Sequence, residues 1–576
     1  MAITDDPLAY AKNEVKKCND EIKNGKIEMN IKVNFDEKLT FTEDVASKSD
    51  CLNVGYFFLQ SIYHDLRLNE YFGKIQDSCK VTFDLNTVNR FLAFARVLEP
   101  KSKLGTFDQL SRYYEQPSIE YQHILRFMDV LNDNYDSYLE HLFHNSESII
   151  KRNTSVCYFD CTNYYFEIEE EDDEYVDEVT GELMTGLRRF GYSKDHRPNP
   201  LVQMGLFMDG NGIPISMCIN PGNENEQKSA LPAEQKITKM FKGKPFIYCA
   251  DAGLGSYNIR KYNSMGGRAF IVTQSIKILS EPLQAAIFND YDFRLLSDNT
   301  PVTMKQMQEF DRFDPNNLDL YNDKAYKVIS ADKAVDVGLR ETKILKNGKT
   351  VTVKSEGLLK QRIIVTFSRK TMEYQRNIRN GQIKRAEEIL ANKNVEDIKK
   401  GPSDVTRFIK RKSEGKNGEK AIDHYAIDTD KVVKEEKYDG YYALATNLDD
   451  DVKTILTINS NRYKIEDCFR VLKTNFSARP VYHRNRTRII AHFMICYTAL
   501  LIYRLLENKI NKQGTLFTIG NILETLRNMN VTNFQDAFYK ATYKDSQVCA
   551  ALNFIFGLEL NKKYYAPKEL NKKIKG

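Results

Sequence analysis

Ser460-Asn461-Arg462-Tyr463-Lys464-Ile465-Glu466-Asp467-Cys468-Phe469-Arg470-Val471-Leu472-Lys473 is the stretch around which the remainder of the chain makes sense. Ile465, Phe469 and Leu472 recur at i, i+4 and i+7, which predicts a helix with one apolar stripe. Arg462, Glu466, Arg470 and Lys473 fall at i, i+4, i+8 and i+11 and line a second stripe. Ser460 stands where it could cap the N-terminus. Taken alone, one carboxylate among three cations describes a solvated face with i,i+4 ion pairs as readily as a site. The rest of the chain has to decide.

Just upstream, Tyr441 to Asn447 reads as a strand. Just downstream, Thr487 to Leu506 reads as a long apolar helix, followed by helices near 518–528 and 532–557 and a lysine-rich tail. Far earlier, Val156-Cys157-Tyr158-Phe159-Asp160-Cys161-Thr162-Asn163-Tyr164-Tyr165-Phe166 is apolar and aromatic, a strand with Asp160 embedded in it. The acidic run Glu167 to Glu178 reads as an exposed loop, because charge so dense repels itself. Leu201–Met208 and Ile213–Ile219, joined by Asp209-Gly210-Asn211-Gly212, carry a strong hairpin signal. A helix over 226–241 follows, and then a short strand, Pro245 to Ala250, ending on Asp251. A helix from about Ser256 and a strand over Arg268–Thr273 complete this region. Residues 276–440 break the order. They read as a largely β insertion with one charged helix, Gln375 to Leu390, and the turn Lys346-Asn347-Gly348-Lys349. Residues 48–150 are helical by pattern, preceded by the alternating run Ile27–Asn34, which reads as a strand.

At 576 residues the chain has room for roughly three or four domains. The expected divisions are 1–150, 151–275, 276–440, 441–510 and 511–576. No run of 18 uninterrupted apolar residues indicates a membrane span. Met1 to Asp6 lacks the basic and apolar regions of a secretory signal. Ten cysteines without a CxxC pair fit buried thiols in a reducing cytoplasm. His141-x-x-His144 is too thin for a zinc site and reads as helix surface. Net charge is only +5, yet residues 351–420 alone hold 18 Lys and Arg against 9 Asp and Glu. A local excess larger than the whole-chain total suggests a polyanionic partner.

Three carboxylates stand out: Asp160 in a strand, Asp251 at a strand end and Glu466 on a late helix. Asp251 could equally cap the helix after it, and Asp160 could be a buried, hydrogen-bonded aspartate. Together they match a known solution for phosphodiester chemistry. Two divalent ions about 3.5–4 Å apart act on the attacking and departing oxygens of an in-line displacement, and hard carboxylate oxygens suit Mg²⁺.

These residues resemble the DDE insertion-sequence transposases, in particular the group with a β insertion before the last catalytic residue and a Y-x2-R-x3-E-x6-K signature, the insertion-sequence-four superfamily. Arg462-x3-Glu466-x6-Lys473 matches the R, E and K positions. Tyr158-Phe159-Asp160-Cys161-Thr162 resembles the first-Asp strand, and Ala250-Asp251-Ala252-Gly253 the second-Asp motif. Gly191 to Pro198 and Pro221-Gly222-Asn223 resemble intervening blocks, so the likeness runs over roughly 90–510. Asn459 stands at the signature tyrosine, and Tyr463 replaces a tryptophan.

The resemblance implies an α/β fold: an RNase H-like core interrupted by a mostly β insertion, with a helical N-terminal domain and a helical C-terminal region. It implies cleavage at transposon ends and joining of the 3′-OH to target DNA. Asp160, Asp251 and Glu466 would be catalytic and would hold two Mg²⁺, with Mn²⁺ a substitute. Arg462, Lys473, Tyr463 and Arg470 would contact DNA. Residues 1–150 would recognise the terminal inverted repeats, the chain would act as a homodimer on paired ends, and it would work in the bacterial cytoplasm at the nucleoid. A nuclease of the same fold without strand transfer, or an inactive DNA-binding protein, stays open on the sequence alone.

Overall fold

The computed structural model describes residues 7–23, 51–176, 181, 183–184, 186–345, 350–392, 404–414, 422–512, 514–534 and 537–574. The run Ile27–Asn34, the turn at 346–349, the end of the acidic run and parts of the basic tract lie outside these residues. The chain divides into two compact units, Met1–Lys244 with Arg462–Gly576, and Pro245–Asn461.

The first unit contains the antiparallel strands β1 (Val156–Tyr165), β2 (Leu201–Asp209) and β3 (Pro214–Pro221), ordered β3-β2-β1. Every residue of β2 is buried, so it is covered on both faces and lacks the polar alternation of a half-exposed strand. The expected Asp209–Gly212 turn closes the β2–β3 hairpin. Gly212 sits at φ +88°, a conformation open to glycine. The Asp209 carboxylate accepts the backbone N–H groups of Asn211 and Ile213, and pairs with buried Arg152 at 2.5 Å.

Helices supply the rest of this unit. α1 (Leu85–Leu98), α2 (Tyr121–Asp133), α3 (Glu226–Met240), α4 (Tyr463–Arg470) and α5 (Arg486–Asn511) are the ones that matter for the site. α5 is apolar nearly all round, as suits a helix that runs through a core. It is long and apolar enough to cross a membrane, but it is buried against α1, α2 and β3. The expected helix over 532–557 is corrected: Asn530–Phe534 and Phe538–Ala541 form a hairpin, and the helix is confined to Gln547–Phe556. Val531 packs into the core while its neighbours are half-exposed. That is a strand's pattern, with Phe538–Ala541 paired on one side and Cys51–Asn53 on the other.

In the second unit, β4 (Ile247–Ala250) runs parallel to β5 (Ala269–Thr273), and β8 (Tyr441–Thr446) is antiparallel to β5. β7 (Arg362–Phe367) and β6 (Ala325–Ser330) continue the sheet in the order β4-β5-β8-β7-β6, with Arg294–Leu295 at the edge. The reading of 276–440 as a largely β insertion changes accordingly. Its longest element is the helix Arg369–Ala391, and three of its strands, β7, β6 and Arg294–Leu295, lengthen the sheet that carries β4 and β5. Their apolar runs needed a partner strand, and β8, remote in sequence, supplies it.

Candidate active site

Asp160 lies midway along β1, opposite Leu206 of β2. Both neighbours, Phe159 and Cys161, are fully buried, so its carboxylate emerges from an apolar wall. Oδ1 accepts the Cys161 N–H at 2.8 Å. Burial pushes the carboxyl up to about 6; the charges of Lys194 and Arg462 oppose the rise, and that of Glu226 adds to it. The Lys194 ammonium donates to the Cys161 carbonyl at 2.6 Å and lies 3.7 Å from Glu226, the first residue of α3.

The second half of β1 holds the Gly191–Pro198 segment in place. Asn163 donates to the Tyr192 carbonyl and accepts the Lys194 N–H. That segment delivers Asp195, which pairs with Arg479 and, at 3.9 Å, with Lys473. Lys473 also lies 5.5 Å from the Tyr164 ring centre, and burial pushes its ammonium down to about 8 against the pull of Asp195.

α4 packs against β1; its buried residues are Ile465, Cys468 and Phe469, and the Cys468 thiol lies against Met208 of β2 and the Gly212 carbonyl. The expected boundaries and stripe are both corrected. Ser460 ends the preceding helix, Val452–Ser460, and its hydroxyl donates to the Thr457 carbonyl, so Arg462 stands at the N-cap position instead. After Arg470 the chain widens into a π turn, Val471–Asn475. A π turn adds a residue to the cycle and rotates everything beyond it. Lys473 is thereby turned inward while Arg470 stays exposed and ion-paired with Asp467. Asp467 also receives Arg504 of α5 at 2.6 Å; burial works against it, but the two arginines hold its carboxyl below the usual range. Glu466 is exposed, and among the described residues none forms a hydrogen bond or ion pair with it. Tyr463 is exposed as well.

Asp251, in the second unit, follows β4 directly. It is exposed, and Oδ1 accepts the Ala252 N–H at 2.9 Å, capping the short turn Ala252–Leu254. Below that turn, fully buried Arg260 donates to the Gly255 carbonyl, Gln361 and Gln274 at 2.8–2.9 Å. Burial lowers its guanidinium to about 9. Asn459 donates to the Tyr442 hydroxyl at 3.4 Å and accepts a weak contact from Cys249, so the residue at the signature tyrosine position helps to hold the sheet end beside β4.

Asp160 fits a cation. Its charge is under-compensated by the protein, and its donors are hard oxygens. Among the described residues, no three His, Cys, Asp or Glu side chains stand together as a ready-made metal cage. Lys194 and Glu226 had no signal marking them as partners of Asp160, since both reach it only through tertiary packing.

Residues 180–502, more than half of the chain, match the transposase DDE domain family. The chain belongs to that family. This transposase is therefore an enzyme that acts on DNA, and the match spans Asp251 and Glu466 while beginning after Asp160. No curated protein matches the transposase. Among solved structures, a piggyBac transposase synaptic complex with hairpin DNA aligns over 91% of this chain and 80% of its own, at 9% identity and a TM-score of 0.34. A likeness that weak supports nothing further.

Proposed function

We propose that the transposase cleaves DNA at the ends of a mobile element and joins the freed 3′-OH to target DNA, using Asp160, Asp251 and Glu466 as its catalytic carboxylates. The observation that carries this reading is the β1 strand with α4 packed against it: a half-buried carboxylate whose charged form is disfavoured, with the charges of Lys194 and Arg462 acting on it and exposed Glu466 on the adjoining helix. A half-buried carboxylate whose charged form is disfavoured is kept mid-strand at a cost in stability.

The three carboxylates would hold Mg²⁺, with Mn²⁺ as a substitute. Bound, the metal supplies an activated water and stabilises charge on the leaving oxygen. Arg462 moderates the charge of Asp160 from the start of α4 and would contact a phosphate. Lys473, held by Asp195 and Tyr164, is a preorganised cation that needs little ordering when it meets a phosphate. Tyr463 offers an exposed ring for stacking, and Arg470 an exposed guanidinium. In this reading residues 1–150 recognise terminal repeats, the enzyme acts as a homodimer on paired ends, the core is RNase H-like, the 276–440 segment is the insertion of the Y-R-E-K group, and the protein works at the bacterial nucleoid.

Purified protein with Mg²⁺, a 3′-OH donor end and a target plasmid tests it. Joined products that vanish in Glu466→Gln, with DNA binding retained, are the expected result. Cleavage without joining would reassign it as a nuclease, and unchanged activity in Glu466→Gln would overturn the assignment.

A further inference from the structure

The segment Arg479-Pro480-Val481-Tyr482-His483-Arg484-Asn485-Arg486-Thr487-Arg488 contains four arginines, one histidine and no acidic residue. It is fastened to the end of the strand that carries Asp160: the Val481 N–H donates to the Tyr165 carbonyl at 3.2 Å, and Val481 bridges Phe166. Two of its arginines are anchored, Arg479 on Asp195 and Arg488 on Asp129. Arg484 is exposed and Arg486 half-buried, and among the described residues neither has a hydrogen-bond or ion-pair partner.

This arrangement is electrostatically unfavourable as it stands. Asn485 caps α5, so Arg486 and Arg488 sit in the first turn of a 26-residue helix, with no acidic residue there. The positive end of a helix dipole disfavours cations. Beneath the segment lies Lys103, only 4% exposed, whose ammonium has no hydrogen-bond or ion-pair partner among the described residues. Its charge acts on His483 and on buried His492, as does that of Arg96, whose guanidinium is spent on the Phe476, Ser477 and Lys101 carbonyls. Burial beside Arg96 lowers the Lys103 ammonium to about 7. In the acidic run after β1, Asp172 pairs with Arg188, and Glu171 and Glu174 with Arg189.

We propose that the Arg479–Arg488 segment, backed by Lys103, is a seat for the phosphate backbone of duplex DNA leaving the site at Asp160. It rests on the transposase reading for the placement of the cut. From Asp160 to Tyr165 is five residues of strand, about 17 Å. That corresponds to roughly five base pairs. A polyanion supplies a counter-charge for Arg484 and Arg486, which have no hydrogen-bond or ion-pair partner among the described residues.

The test is fluorescence anisotropy of a 30-base-pair duplex of arbitrary sequence, titrated with the full chain at several KCl concentrations. Each lost phosphate contact should reduce the slope of log affinity against log salt by about one. Arg484→Ala/Arg486→Ala is expected to reduce it by about two with the thermal midpoint unchanged. Lys103→Met is expected to weaken binding while raising the thermal midpoint, because it removes a buried, unpaired charge. A merely structural lysine would give the second effect without the first. A wild-type slope in the double variant overturns the seat even where end cleavage is intact. Conversely, reduced slopes together with unaltered cleavage in Glu466→Gln uphold the seat and sink the transposase mechanism. A wild-type chain that fails to bind the duplex overturns the seat too.

Discussion

Asp160 and Asp251 are the same residue in opposite circumstances. In the first unit, Asp160 sits in a strand between fully buried neighbours, with its carboxyl pushed up to about 6 and Lys194, Glu226 and Arg462 acting on it. In the second, Asp251 stands exposed after β4 and caps a three-residue turn. Each accepts the next residue's backbone N–H, but for Asp251 that bond caps a turn at the surface, whereas Asp160 holds its charge against a burial penalty. A carboxylate that costs stability is a stronger functional indicator than one that caps a turn.

The largest expected effect would erase this contrast. Asp160→Asn and Asp251→Asn should each reduce Mg²⁺-supported strand cleavage by about 10³-fold, since metal-held charge stabilisation is worth several kcal/mol. Single-turnover cleavage of a labelled end measures both. Retained activity in Asp251→Asn would leave that residue a turn cap and nothing more.

Next comes the scaffold around Asp160. Arg152→Met strips the buried Asp209 of its ion-pair partner at the β2–β3 turn. A loss of about 3 kcal/mol in urea-unfolding stability is expected, typical of breaking a buried pair from one side. A loss below 1 kcal/mol would show that the two backbone N–H groups on Asp209 suffice.

Asp160→Asn should also stabilise the fold, by up to about 3 kcal/mol above pH 6, from the gap between about 6 and an ordinary aspartate. The folded protein holds this proton where the unfolded chain has released it, so the native carboxylate lowers stability as pH rises through the window from about 4 to 6. The gain from Asn should therefore fade on acidification and be absent below about pH 4. Unfolding curves at pH 4 and pH 8 check it, and a gain that does not depend on pH would remove the electrostatic explanation. Smallest of all, Asp251→Ala should change stability by no more than about 1 kcal/mol, the usual worth of a cap.

Legibility in the sequence followed the range of the interactions. The β2–β3 hairpin was readable because its turn chemistry and apolar strands are adjacent in the chain. β1 and β4 were readable from their apolar runs, and so were the positions of Asp160 within β1 and of Asp251 just past β4. The helix around Glu466 was readable in kind but not in extent. Another helix runs up to Ser460 and denies it the cap, and the π turn rotates Lys473 off the predicted stripe. Neither event leaves a periodic trace. The hairpin at 530–541 was missed; its outer partners, Cys51–Asn53 and Tyr564–Tyr565, join it only in the folded chain.

What the sequence determined by itself was the set of local elements and the candidate carboxylates, because helix and strand periods and turn residues act over a few positions. Only the tertiary structure decided that Lys194 and Glu226 surround Asp160, that Asp195 captures Lys473 and Arg479, and that Lys103 lies buried under a basic segment. Burial sets the cost of a charge and proximity sets its compensation, and both are properties of residues that the chain keeps far apart until it folds.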